Sequence, residues 1–296
     1  MRVSRTRWLQ GFAAATTVTA AGCGAGNSIA VGSKNFSEEL FLGELYAQLL
    51  ESHGMHVTRK LDLGSTQIAM DAMRRGEIDL YPEYTGTALL VVLKAPVMYD
   101  PSSVYATVKR DFERRYDIVW LDPSPFNDTQ ALASTQAIAA RYDVRTLSQV
   151  GRVASELRLA VTPEFLNRPD GLRRLRETYG GFDFKQIIQV DIGLRYQALL
   201  DNRADVTVAF STDGQILEYK LVVFVDDKHA FPPYQAAPIV RAATLSKYPK
   251  VAPALNAAAP LLTDATIRAV NLAIVGPQKR DPADVAGDFI KQHGLA

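Results

Sequence analysis

Gly76-Glu77-Ile78-Asp79-Leu80-Tyr81-Pro82-Glu83-Tyr84-Thr85-Gly86-Thr87 runs a helix end, a buried strand and a loop of ligand-ready groups into one short stretch. Gly76 suits the left-handed position just past a helix, Ile78 and Leu80 are strand residues, and Pro82, with no N–H to donate, is expected to end the ladder. A loop of aromatics and hydroxyls comes next. Open α/β sheets bind ligands beyond the C-terminal ends of their strands, which makes Tyr84, Thr85 and Thr87 the first candidate binding residues.

Upstream, residues 29–32 read as a strand. Ser33 reads as a helix cap, with Glu38 and Glu39 in the first turn. Leu42, Leu45, Tyr46, Leu49 and Leu50 recur at helical spacing until Gly54 stops the helix, and a strand at 57–63 and a helix to 75 complete a β-α-β unit. Downstream come a helix at 101–116, a strand at 118–121 and a proline-marked crossover at 122–130. The α/β pattern then restarts with a helix at 146–150, strands at 157–161 and 187–192, and a helix opening at Pro163 between them. After an apolar strand at 221–225, Phe231-Pro232-Pro233-Tyr234-Gln235 makes a second stiff crossover. A strand at 236–240 and helices near 249–262, 264–275 and 282–293 end the chain.

The two halves echo each other. Leu61-Asp62-Leu63-Gly64 returns as Val190-Asp191-Ile192-Gly193, and Gly76-Glu77-Ile78-Asp79-Leu80 returns as Asn202-Arg203-Ala204-Asp205-Val206. Tyr84-Thr85 and Phe210-Ser211 stand at the same interval beyond, so each half is expected to present an aromatic and a hydroxyl at the end of an equivalent strand. Alternating strands and helices give an α/β fold, and two proline-marked crossovers around a middle unit divide it into two domains.

Composition agrees with a chain long enough for two domains: 296 residues, 47% hydrophobic. Lysine and arginine total 33 against 32 acids, so no basic field points to nucleic acid. Arg2, Arg5 and Arg7 precede an apolar run too short to span a membrane and ending in Ala20-Ala21-Gly22-Cys23. This reads as an export signal over residues 1–22, with Cys23 as the lipidated first residue of the mature chain, a linker at 23–28, and a lipid-anchored place on the outer face of the membrane or in the periplasm. Cys23 is the single cysteine, which excludes a disulfide or thiol nucleophile from the folded part. His53 and His56 are read as surface residues, and no phosphate loop, nucleophile elbow or dinucleotide fingerprint is present. The reading is a binding protein, neither an enzyme nor a holder of metal or cofactor. Tyr84, Phe210 and Tyr234 stand where aromatic faces could converge on a quaternary ammonium; Lys34 and Arg168 suit an anion.

Val31-Gly32-Ser33-Lys34-Asn35-Phe36, Tyr81 to Thr87, Thr162-Pro163-Glu164-Phe165, Arg168-Pro169-Asp170-Gly171-Leu172, Asp226-Asp227-Lys228 and Pro232-Pro233-Tyr234-Gln235-Ala236 stand in an order that resembles the osmoprotectant (glycine betaine, choline, carnitine) substrate-binding proteins of ABC importers. The resemblance covers residues 29–295. It implies a two-lobed periplasmic-binding-protein fold of type II, with 29–127 plus 231–296 as one lobe and 128–230 as the other. It implies a monomer that closes on a small zwitterionic or quaternary-ammonium ligand and delivers it to permease subunits. Tyr84 and Tyr234 match cage tyrosines; Lys34, Thr87 and Arg168 match groups that hold the ligand carboxylate; Asp128 and Gln130 fall in a further site segment. Gln130 and Phe210 stand where cage-forming members carry tyrosine. Phenylalanine keeps the π face, whereas an amide suits a ligand with a polar group on that side. Another cationic or zwitterionic amino-acid-like solute is the alternative ligand, an exported sensor module the alternative role, and an exported hydrolase a third reading.

Overall fold

The computed structural model describes residues 28–295, so Cys23 and the export signal lie outside the described residues. In chain order the strands are β1 (Ser28–Gly32), β2 (His56–Lys60), β3 (Leu80–Tyr84), β4 (Ile118–Trp120), β5 (Gln130–Ser134), β6 (Arg158–Val161), β7 (Gln186–Gln189), β8 (Val206–Phe210), β9 (Val222–Val223) and β10 (Ala236–Arg241). Among the described residues they form two sheets, ordered β2-β1-β3-β10-β4 and β7-β6-β8-β5-β9. In each, the first three strands run parallel and the fourth enters antiparallel. That fourth strand is the one laid down just after the chain crosses over: β5 enters the second sheet, and β10 returns to the first. The crossovers themselves pair, through an antiparallel bridge between Asn127 and Gln235.

The sequence echo corresponds to this repeated order. Gly76 (φ 72°) and Asn202 (φ 54°) both take the left-handed geometry after a helix. Asp79 and Asp205 then brace the strand next to each of them. Asp79 exchanges backbone and carboxylate bonds with Ala30 in β1, and Asp205 does the same with Arg158 at the start of β6. The other half of the echo is not repeated in conformation. Asp62 takes a positive φ of 59°, while Asp191 is extended and leads into a turn at Ile192–Leu194.

Pro82 does not end the ladder; it sits mid-strand, directly opposite Pro238. Pro238 turns its carbonyl toward the β4 side, where Leu121, the residue just after that strand, donates to it at 3.0 Å. Its missing N–H therefore faces away from β3, and the pair occupies a position where an antiparallel ladder asks for no bond. Pro82 in turn looks toward β1, which pairs with β3 only at Leu80.

Ser33 is not the helix cap either, for the helix is Ser37–Ser52 with Phe36 at its N-cap position. β5 escaped the sequence reading because Gln-Ala-Leu-Ala-Ser lacks β-branched residues and comes after two prolines. The expected strand at 221–225 shortens to β9, and the first tail helix breaks into Val251–Asn256 and Ala259–Leu261, with Pro260 in the second piece. The helix Ser37–Ser52 packs on Pro282–His293 through Phe41 and Phe289, edge to face at 5.8 Å. This holds the C-terminal tail on the first sheet.

Candidate functional site

β3 is buried on both faces, and its side chains divide the work. Tyr81 and Glu83 point one way, where Glu83 accepts the Tyr81 hydroxyl at 2.7 Å, the Tyr84 N–H at 2.7 Å and the Lys34 ammonium at 2.8 Å. Lys34 also lies 3.4 Å from Glu39 and 4.5 Å from the centre of the Tyr84 ring. Burial alone would lower its pKa, but Glu39 and Glu83 raise it by more, so the ammonium stays charged. Burial pushes Glu39 up to about 8. The Tyr84 hydroxyl donates to Glu38 at 2.5 Å, which fixes the direction in which the ring points.

Phe36 joins the two halves of the aromatic wall. Its ring stacks on Tyr84 at 6.2 Å and on Phe210 at 6.3 Å, forming a row from the first sheet to the second. The Arg195 guanidinium lies 5.3 Å from the Phe210 ring centre and is held by Asp213.

The other wall is polar. Arg168 grips Asp170 bidentately at 2.8 and 2.6 Å and reaches Glu164 at 3.3 Å. Asp170 is fully buried and also receives the Tyr234 hydroxyl and the Gln130 amide. Gln130 donates to the Tyr234 hydroxyl as well, at 3.3 Å. The polar group at position 130 is thus spent on aligning Tyr234 and Asp170. Asp128, on the first crossover, contacts the Thr212 hydroxyl at 2.5 Å.

Lys34, Tyr84, Thr87, Asp128, Gln130, Arg168, Phe210 and Tyr234 all line one cavity of about 80 Å³ between the sheets. One water needs roughly 10–15 Å³ by the same measure, so the space is on the scale of a small solute. Thr87 comes from the turn Thr85–Thr87 that continues into a π-helical stretch, Ala88–Val92. Thr85, proposed with it from the sequence, instead donates to Pro233 O and accepts from the Gln235 N–H, so it secures the second crossover. Ser211 does the same for the first, bonding Asn127 O and Thr129 N–H. The echoed aromatics meet at the cavity, while the echoed hydroxyls hold the connections.

Sequence reasoning passed over Glu38, Glu83, Asp170, Thr212 and Arg195 as site residues. Glu83, Asp170 and Phe36 stand inside the motifs that carry the resemblance, so a signal was there; Glu38 has the look of a helix-start residue.

The model of the substrate binding domain of ABC-type glycine betaine transport systems matches residues 27–292. The chain is 36% identical to a glycine-betaine-binding protein of Pseudomonas aeruginosa, over 93% of this chain and 91% of that one. It is 31% identical to the carnitine transport binding protein OpuCC of Listeria monocytogenes, covering 90% and 87%. A crystal structure of a glycine betaine/carnitine/choline ABC transporter protein superposes with a TM-score of 0.76 at 29% identity, covering 90% of this chain and 99% of that one. With two sheets of one order facing each other across a solute-sized cavity, the chain belongs to the type II periplasmic-binding-protein family that serves as the extracytoplasmic substrate-binding component of ABC-type glycine betaine importers.

Proposed function

We propose that the cavity captures a quaternary-ammonium zwitterion, glycine betaine or a close relative, and that the protein delivers it to an ABC permease. The observation that carries this is the convergence of aromatic faces from both sheets, at Tyr84, Phe36, Phe210 and Tyr234, beside the cations Lys34 and Arg168. A trimethylammonium group cannot donate N–H bonds and is held by π faces, while a carboxylate is held by Lys34, Thr87 and Arg168. In this reading residues 29–127 with 231–296 form one lobe and 128–230 the other, closing as a monomer about the paired crossovers. Cys23 carries the lipid anchor, and a diacylglyceryl cysteine found by mass spectrometry of the mature protein is the check.

One observation favours a second ligand. The Arg168 fork is already filled by Asp170, which leaves less positive charge for a ligand carboxylate and suits a cation without one, such as choline. Isothermal titration against glycine betaine, choline, carnitine and a primary amine tests both. Binding of quaternary ammonium compounds with weaker or no binding of the primary amine is expected. Binding of the amine alone overturns the cage.

A further inference from the structure

Three side chains from separate parts of the chain meet on one hydroxyl beside the cavity. Thr212 Oγ1 lies 2.7 Å from Glu38 Oε2 and 2.5 Å from Asp128 Oδ1. A threonine hydroxyl has one proton and can donate to one carboxyl only. Two contacts this short therefore require a second proton, held by one of the acids. The donors decide which. Glu38 also collects the Tyr84 hydroxyl at 2.5 Å and the Asn271 amide at 3.0 Å, whereas Asp128 is faced, among the described contacts, only by Thr212, through its hydroxyl and its backbone N–H. Glu38 is then the anion, and Asp128 is the acid that donates to Thr212. Burial raises both carboxyls, and the charge on Glu38 raises Asp128 further.

The three residues come from separate elements. Glu38 belongs to the helix Ser37–Ser52 over the first sheet, Asp128 to a crossover, and Thr212 to the loop after β8. Asn271, from the helix Asp264–Val275, adds a bond to Thr212 O at 2.9 Å. Of the neighbouring groups, Asp213 has Arg195 and the Tyr196 hydroxyl, Glu39 is raised by burial and lies 3.4 Å from Lys34, and Arg268 caps the Ser211 carbonyl. Tyr46 and Tyr84, whose hydroxyls are raised by burial and then by the nearby carboxyls, remain neutral.

We propose that Glu38, Thr212 and Asp128 form a protonated clasp that positions Tyr84 and joins the two halves around bound ligand, so that binding weakens as the pH rises. The ligand part of this rests on the quaternary-ammonium reading above. When Asp128 loses its proton, two carboxylates face one hydroxyl, Thr212 can satisfy only one of them, and the closed arrangement is released. Opening returns Asp128 toward water, so the closed form takes up a proton that the open form does not hold.

Two measurements on the full chain decide it. With saturating glycine betaine near pH 7, the infrared difference between wild type and Asp128→Asn is expected to contain the carbonyl band of one buried protonated carboxyl; a difference without that band overturns the clasp. In titration calorimetry with glycine betaine, the Kd is expected to rise about tenfold between about pH 6 and about pH 8, the most that one linked proton gives over this interval being near a hundredfold. Asp128→Asn flattens that slope; Thr212→Val loses it and Thr212→Ser restores it. Parallel pH profiles for wild type and Asp128→Asn overturn the proposal even if both proteins fold and bind. If no quaternary ammonium compound binds at any pH, the ligand reading fails, whereas binding that is intact but independent of pH overturns the clasp alone.

Discussion

The Tyr84 hydroxyl reaches Glu38 across 46 residues of sequence, and Thr212 reaches the same carboxylate across 174. Such partners explain why the cavity-lining residues could be read from local motifs while their supports could not: a motif shows residue types in order, but a long-range bond exists only once the chain is folded. Gln130 is the clearest case. Read from sequence, its amide faced the ligand; in the structure it donates to Asp170 and Tyr234. Phe36, the shared ring of the aromatic row, gives a direct test. Phe36→Ala removes a face worth about 0.5–2 kcal/mol toward a cation, so the Kd for a quaternary ammonium compound is expected to rise severalfold to about thirtyfold by calorimetry, with little change in Tm. Asp170→Asn separates the two ligand readings. It removes the charge that fills the Arg168 fork, so the ratio of glycine betaine to choline affinity is expected to rise; a fall in that ratio would mean that Asp170 serves mainly to aim Arg168 at the carboxylate.

At the level of elements, the repeated order of the two sheets was legible because the aspartates that precede β3 and β8 and the left-handed residues before them recur at one spacing. The antiparallel fourth strand of each sheet was harder to place, since nothing local in Gln130–Ser134 marks it as a strand that pairs with β8. The hydroxyls after β3 and β8 were read as ligand groups because side chains at strand ends can turn either to the cleft or to the backbone beside them. Here Thr85 and Ser211 turn to the crossovers. Each makes bonds worth about 1 kcal/mol net. Thr85→Val and Ser211→Ala are each expected to cost about 1–2 kcal/mol in urea unfolding, and the pair to depart from the sum, because Thr85 bonds Gln235 and Ser211 bonds Asn127, the two residues that bridge the crossovers. A strictly additive pair would show that the two connections act independently.

For the molecule as a whole, the buried carboxyls of the first sheet and the cavity set the response to pH. Burial leads in raising Glu39 and Asp128, with Glu39 reaching about 8. An acid raised in the folded state holds its proton longer than the unfolded chain does. The unfolded form ionises near the ordinary carboxylate value, and stability is then lost as the pH climbs from there through the folded value. The ligand-free protein is therefore expected to melt at a lower temperature near pH 8 than near pH 5, and Glu39→Gln to lessen the difference. A Tm that is flat or rises over this interval in calorimetric scans would mean that these acids are ionised in the folded protein.

The facing pair Pro82 and Pro238 bears on how such a chain comes together. β10 reaches the first sheet only after the whole second sheet has been synthesised, and must find β3 and β4 among many competing edges. Shifting it by one residue would reverse its inward and outward faces and turn a proline toward a partner carbonyl that needs a donor. Misdocking by an odd step is thus penalised twice, once by water and once by a missing bond. The two prolines act as a keyed joint that favours one phase of the returning strand over its neighbours.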